Sequence, residues 1–209
     1  REIRIRLELS HENIIPLLGI SYDFDRPSMP CLVCPWFQNG DIINFLREQP
    51  NVDKLSLVRI AAGLSYLHSM SVVHGDVQGS NILISNNYEA SLTNFGRSRV
   101  LQSSGFMTEA VSPSGQWRWM SPELMTDALD ECAPRVTMAT DVWAFAMTVV
   151  EVFTGAIPFS HIKSDASVIM FILSGGRPKQ ERCPQINDEI WEMLEKCWDV
   201  VPQRRPSMT

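Results

Sequence analysis

The chain has 209 residues, 44% hydrophobic and 20% charged, the balance of one globular domain with a substantial core. Its net charge of −6 argues against nucleic acid or an anionic membrane surface as the main partner, and no apolar run is long enough for a membrane span. Five scattered cysteines, an odd number, suit a reducing compartment, and no signal or lipidation motif is visible, so we expect a cytoplasmic or nuclear protein that is not secreted. Cys31 and Cys34 form a C-x-x-C, but residues three apart on a strand face opposite sides and no second pair lies nearby, which excludes a zinc or redox site.

In chain order, residues 1–9 (REIRIRLEL) predict a helix that His11-Glu-Asn-Ile-Ile-Pro16 breaks. Residues 17–22 predict a strand, 23–29 a polar turn around Pro27, and 31–36 an apolar strand ended by Gln38-Asn39-Gly40-Asp41. A helix starts over 42–47. Residues 53–70 predict one long amphipathic helix, its buried stripe Leu57, Ile60, Ala61, Leu64 and Leu67 recurring at three and four.

Residues 72–96 (VVHGDVQGSNILISNNYEASLTNFG) predict a loop, a two-stranded ribbon and a second loop. Ile82, Leu83 and Ile84 make one strand, Asn86-Asn87 the turn, because Asn tolerates positive φ, and 90–92 the returning strand. The ribbon brings Asp76, Asn81 and Asn94, spaced by five and thirteen, to one place. A carboxylate, an amide and a third oxygen converging beside a phosphate suit phosphoryl transfer: one group orients the attacking hydroxyl and two hold Mg²⁺. The plain alternative is a hairpin with polar ends. Residues 97–115, rich in Ser, Gly and Thr without a period, predict a mobile loop. Residues 140–154 predict a helix apolar nearly all round, hence buried on all sides, with Asp141 able to cap it. Two further helices follow over 164–174 and 187–198, and the chain closes on Pro202-Gln-Arg-Arg205-Pro206.

His74-Gly75-Asp76 with Asn81, then Asn94-Phe95-Gly96, resemble the H-R-D-x-x-x-x-N and D-F-G motifs of eukaryotic protein kinases at the family's own separation. R-W-M-S-P-E and D-V-W-A-F lean towards the tyrosine-kinase-like branch, most like its divergent fungal members. The resemblance covers the whole chain as a partial kinase domain, α+β, with an N-lobe remnant over 1–37 and a mostly helical C-lobe over 38–209. It implies Asp76 as catalytic base, Asn81 as its partner in the loop, and Asn81 and Asn94 as metal ligands. Cys34 stands at the gatekeeper position, Pro35 to Phe37 as the hinge, and Leu83 under the adenine. Glu2 is the family glutamate that pairs with a lysine, or a surface glutamate. Arg205 pairs with Glu123, or lies in a solvated tail. Asp141 accepts backbone N–H bonds from the catalytic loop. ATP, Mg²⁺ and a protein substrate or partner are the implied ligands.

Five departures bear on chemistry. No Gly-rich loop and no V-A-I-K strand are present, so we expect an N-terminally truncated domain. Asn94 replaces a metal-binding carboxylate, and an amide oxygen is neutral, so we expect weak Mg²⁺ binding. Gln78 and Gln116 stand where Ser/Thr kinases carry Lys and Thr. Gly75 replaces the H-R-D arginine, so a phosphate on Ser103, Ser104, Thr108 or Ser112 would lack its guanidinium. Arg6 replaces an apolar residue stacked with Leu17, Phe95 and His74, and we expect its stem to cross that surface with the charge in water. The reading is a kinase-family protein with degraded catalysis, a pseudokinase or fragment. The alternatives are an active kinase, if a longer chain supplies the missing parts, and a non-catalytic scaffold.

Overall fold

The computed structural model describes residues 6–22, 31–95, 99–100, 116–129 and 135–208. Glu2, Gly96, the turn at 23–29 and the four candidate phosphorylation sites lie outside the described residues.

Two short strands, β1 (Gly19–Ser21) and β2 (Cys31–Val33), pair antiparallel with Ile20 opposite Leu32. The apolar run read to residue 36 leaves the ladder at Val33. Pro35 has no N–H to donate, and Trp36 is 87% exposed. Gly40 then turns the chain at φ +64. Asp41 caps α1 (Ile42–Glu48), its carboxylate accepting the Ile43 and Asn44 N–H groups at 3.0 Å each.

The single helix expected over 53–70 is two, α2 (Lys54–Leu57) and α3 (Ile60–Ser69). At the break, tight turn bonds replace the helical ladder: Ala61 N–H donates to Val58 O at 3.0 Å and Ala62 N–H to Arg59 O at 2.8 Å. The offset lets Lys54 Nζ reach the Phe153 carbonyl at 2.9 Å. Leu57, Ile60, Leu64 and Leu67 still enter the core, while Ala61 is only half-buried. Gly63 is the point of closest approach. A Cβ there would stand 2.7 Å from Asn13 O, an oxygen that already accepts the Leu92 N–H at 2.8 Å.

β3 (Val72–Val73) precedes the hairpin of β4 (Ile82–Ile84) and β5 (Ala90–Leu92), in which Ile82 faces Leu92 and Ile84 faces Ala90. Positive φ falls on Tyr88, at +63, and on neither Asn86 nor Asn87. Ser85 Oγ accepts the N–H groups of Asn87 and Glu89 at 3.2 and 3.1 Å, and the Tyr88 ring lies 5.3 Å from that of Phe45, so the turn is fixed by a serine hydroxyl and an aromatic contact. The loop read over 97–115 is not irregular throughout. Arg99–Val100 forms β6 and pairs antiparallel with β3, whose β-branched residues offer an extended partner.

Helices α4 (Pro122–Leu129), α5 (Met138–Thr154), α6 (Asp165–Leu173) and α7 (Asp188–Cys197) complete the lobe. As its composition demands, α5 is buried nearly all round, with Trp143, Ala146 and Met147 wholly enclosed. Its cap is Thr137, not Asp141: Thr137 Oγ1 accepts the Thr140 N–H and Thr140 Oγ1 accepts the Thr137 N–H. That leaves the Asp141 carboxylate for other work. The arrangement is α+β, a mostly helical lobe with a partial sheet, as the resemblance implies.

The chain's last turn is tied to α4. Arg205 Nη1 and Nη2 donate to the two Glu123 oxygens at 2.7 and 2.8 Å, and Arg205 also holds the Ala139 and Asp199 carbonyls. Two guanidiniums lie over the indole of Trp143, Arg177 at 4.6 Å and Arg205 at 5.1 Å from its ring centre. Arg205→Ala and Glu123→Ala are each expected to cost about 3 kcal/mol in urea unfolding, because each strands the other's charge. The double variant should cost clearly less than the sum, and additive losses would show that the pair is not coupled.

Candidate active site

The site is built on a buried carboxylate. Asp141, 1% exposed on α5, accepts N–H bonds from His74 and Gly75 at 2.8 Å each and from His68 Nε2 at 3.0 Å. Three donors from two segments answer one buried charge, which makes its burial tolerable. Gly75 sits at φ +78, in the left-handed region that glycine enters without a Cβ penalty.

His74 has no exposure, and its backbone N–H and both ring nitrogens are hydrogen-bonded. Its Nε2 donates to Thr93 O at 2.9 Å, and its Nδ1 accepts the Asp76 N–H at 3.2 Å. The imidazole therefore joins the loop before β4 to the segment after β5. Its ring packs 5.2 Å from that of Phe95, which is 1% exposed.

Asp76, Asn81 and Asn94 do come together. Asn81 Nδ2 donates to the Asp76 carbonyl at 2.8 Å, and the Thr93 N–H donates to the Asn81 carbonyl at 3.0 Å. The Asp76 carboxylate accepts from three carboxamides: Gln78 Nε2 at 2.9 Å on Oδ1, and Asn94 Nδ2 at 3.2 Å and Gln116 Nε2 at 3.3 Å on Oδ2. Asn94 Nδ2 also donates to Asn81 Oδ1 at 3.1 Å. These residues do not fit an octahedral Mg²⁺ shell as they stand. Asn81 Oδ1 faces an NH₂ group, and both Asp76 oxygens are engaged by amides. Among the described residues no three His, Cys, Asp or Glu side chains are placed to hold a metal ion.

Of the residues read as the nucleotide pocket, Leu83 lies on the hairpin, and the segment that follows Phe37 runs along it. Leu83 on β4 bridges Asp41, Ile84 N–H donates to Gly40 O at 2.9 Å, and Asn39 Nδ2 donates to Ser85 O at 2.7 Å. The segment after Phe37 is thereby bound along the hairpin. Cys34, Pro35, Phe37 and Leu83 are half-buried.

Arg6 departs from expectation. Its charge is not in water: it is 6% exposed, with Nη2 donating to Ile15 O at 3.3 Å and to Cys34 Sγ at 2.9 Å, and its guanidinium 5.5 Å from the Phe95 ring centre. The carbonyl, the thiol and the aromatic face replace much of the lost hydration, which is why the group tolerates burial.

Two residues that hold the site were missed. Arg118 spreads its guanidinium over the Pro158, Phe159 and Ile162 carbonyls at 2.9 Å each and the Asp165 carboxylate at 3.0 Å, fixing the segment before α4 to the loop after α5. Glu151 Oε2 accepts the Gly79 N–H at 3.0 Å and the Trp119 Nε1–H at 2.9 Å, linking the catalytic loop to the same segment. The signal for Glu151 was visible: a second carboxylate, beside Asp141, in a helix apolar nearly all round must find donors.

The family model described as protein tyrosine and serine/threonine kinase matches residues 1–209. Among curated relatives, a serine/threonine-protein kinase of Arabidopsis thaliana (STY17) is 30% identical over 99% of this chain and 35% of its own. A tyrosine-protein kinase receptor of Rattus norvegicus (TYRO3) is 29% identical over 100% and 24%, and a serine/threonine-protein kinase of Mus musculus (TNNI3K) 32% over 100% and 25%. The chain thus spans between a quarter and about a third of these relatives' length.

Burial pushes the Glu151 carboxyl up from 4.5 to about 7, with the Asp41 carboxylate adding to the rise and the Gly79 and Trp119 donors opposing it. A raised carboxyl favours the folded state most below its unfolded value, and that contribution is lost as pH climbs through the folded one. Stability should therefore fall between about pH 4.5 and 7 by on the order of 3 kcal/mol from this group. Glu151→Gln keeps an acceptor oxygen and removes the charge. Urea melts across that window should show the fall in the wild type and a flat response in the variant.

Proposed function

Because the chain belongs to the protein tyrosine and serine/threonine kinase family and is a protein kinase domain, we propose that it binds ATP against the hinge and Leu83 but transfers phosphate to a protein hydroxyl weakly or not at all. One observation carries this reading. In the cluster of Asp76, Gln78, Asn81, Asn94 and Gln116 the only charged side chain is Asp76, and carboxamides bond both of its oxygens. Phosphoryl transfer draws nearly all its acceleration from positioning and from charge placed against the phosphates. Gln78 and Asn94 are neutral where the family places a lysine in its Ser/Thr members and a carboxylate, so that charge is reduced at two points at once. The base itself is well set: the Asn81 and His74 contacts fix the backbone on both sides of Asp76.

The odd number of cysteines supports a reducing compartment, cytoplasm or nucleus, as the place where the domain works. A protein is the proposed substrate or partner. Hydroxyl preference is left open, since the relatives named above include both serine/threonine and tyrosine kinases.

Calorimetry with ATP, with and without Mg²⁺, should show a gain in affinity below tenfold, or about 1.4 kcal/mol. Labelled-phosphate transfer to a generic protein substrate should stay near background in the wild type, and Asn94→Asp alone should leave it there, because residues 1–209 also carry no Gly-rich loop and no V-A-I-K strand. Robust wild-type turnover that disappears with Asp76→Asn would identify a working kinase. No ATP binding under either condition would identify a scaffold.

A further inference from the structure

We propose that the Asn94 carboxamide does the structural work of a metal ion in this chain, clasping the catalytic loop to the segment after β5, so that the order of the loop is independent of divalent cations. This goes beyond the catalytic reading, because it concerns how the loop is held and not whether phosphate moves.

The orientation of the amides is set by chemistry. Asn81 Nδ2 is committed to the Asp76 carbonyl at 2.8 Å, so Asn81 must present Oδ1 on its other side. Asp76 presents a carboxylate oxygen to the same space. Asn94 Nδ2 lies 3.1 Å from the first and 3.2 Å from the second. An NH₂ group has two protons, and each acceptor takes one. With Asn94 turned over, its carbonyl oxygen would face two other oxygens and lose both bonds.

The backbone delivers this amide to a fixed point. Thr93 is held on both sides, its N–H on the Asn81 carbonyl at 3.0 Å and its carbonyl by His74 Nε2 at 2.9 Å. Asn94 follows at φ +63, a conformation that Asn enters more readily than most residues. Asn94 itself is exposed, so no packing holds its side chain there; the two hydrogen bonds do. An oxygen pair of this kind, one from Asn81 and one from Asp76, is what a cation would otherwise bridge. A carboxylate at position 94 would set a second negative charge about 3 Å from Asp76, which calls for a cation between them. The amide differs from that carboxylate by one NH₂ group, and that group supplies the two positive contacts from within the chain. Asn94 is in this sense a positioning residue.

The test follows thermal unfolding of the full-length protein in EDTA and in millimolar Mg²⁺, alongside direct Mn²⁺ binding read by electron paramagnetic resonance. Wild type should melt at the same temperature under both conditions and leave Mn²⁺ free. Asn94→Asp should melt at least about 3 °C lower in EDTA, recover that loss in Mg²⁺ and bind Mn²⁺. Asn94→Ala should melt lower under both conditions with no recovery. Rescue by metal in the aspartate variant alone is a response that a merely packed residue would not give. A wild type that gains as much from Mg²⁺ as Asn94→Asp does, or an Asn94→Ala that melts like wild type in EDTA, overturns the proposal. If Asn94→Asp gains metal binding and stability while the wild type turns over robustly, this inference stands and the catalytic reading is the one that fails.

Discussion

A single enclosed carboxylate governs the geometry of this domain. Asp141 lies inside the lobe, where an ionised group is costly unless every lone pair finds a donor. The donors come from α3, through His68, and from the backbone at positions 74 and 75. Satisfying the charge therefore forces the catalytic loop to lie against α5. From that constraint the rest follows by short links. His74 is fixed by its own N–H and then orders Thr93, Thr93 sets Asn94, and Asp76 and Asn81 are set by the same loop. Thr137 makes this possible by relieving Asp141 of the capping role.

Much of this was legible in the sequence, for identifiable reasons. The all-apolar run of α5 admits only a buried helix. The Ile82–Ile84 and Ala90–Leu92 strands flank a turn, and their pairing brings Asp76, Asn81 and Asn94 together by register. The family rests on motifs whose spacing this register explains, and the family match over the whole chain agrees. What stayed hidden has a common character. Arg118 reaches backbone carbonyls about forty residues away, and Lys54 reaches Phe153 O across ninety-nine positions. Such bonds leave no period behind. The helix break at Val58 and Arg59 is of the same kind, because the stripe of Leu57, Ile60, Leu64 and Leu67 continues through it. Arg6 was misplaced because its partners, Ile15 O, Cys34 Sγ and the Phe95 ring, come from elements that only the fold assembles.

Charge is distributed unusually between scaffold and site. The scaffold is rich in committed charged groups: Asp141 with its three N–H donors, Arg205 with Glu123, Arg118 with Asp165. The cluster around Asp76 uses carboxamides instead. A hydrogen bond from an amide to a carboxylate is directional and short in range, whereas a full positive charge acts over a longer distance. The amide cluster can fix the shape of the loop well while doing little for the charge that develops on a transferred phosphate. On the function proposed above, shape and electrostatics are provided by different side chains.

Gly75 adds a second constraint on the same loop. At φ +78 its backbone is comfortable only while the side chain is a hydrogen. An arginine restored there would regain a guanidinium for an activating phosphate, yet it would start with a steric debt on the order of 1 kcal/mol. It would carry that debt at the point where the peptide is pinned to Asp141 and cannot relax. Any side chain larger than hydrogen therefore meets its strain where the loop is least able to give way.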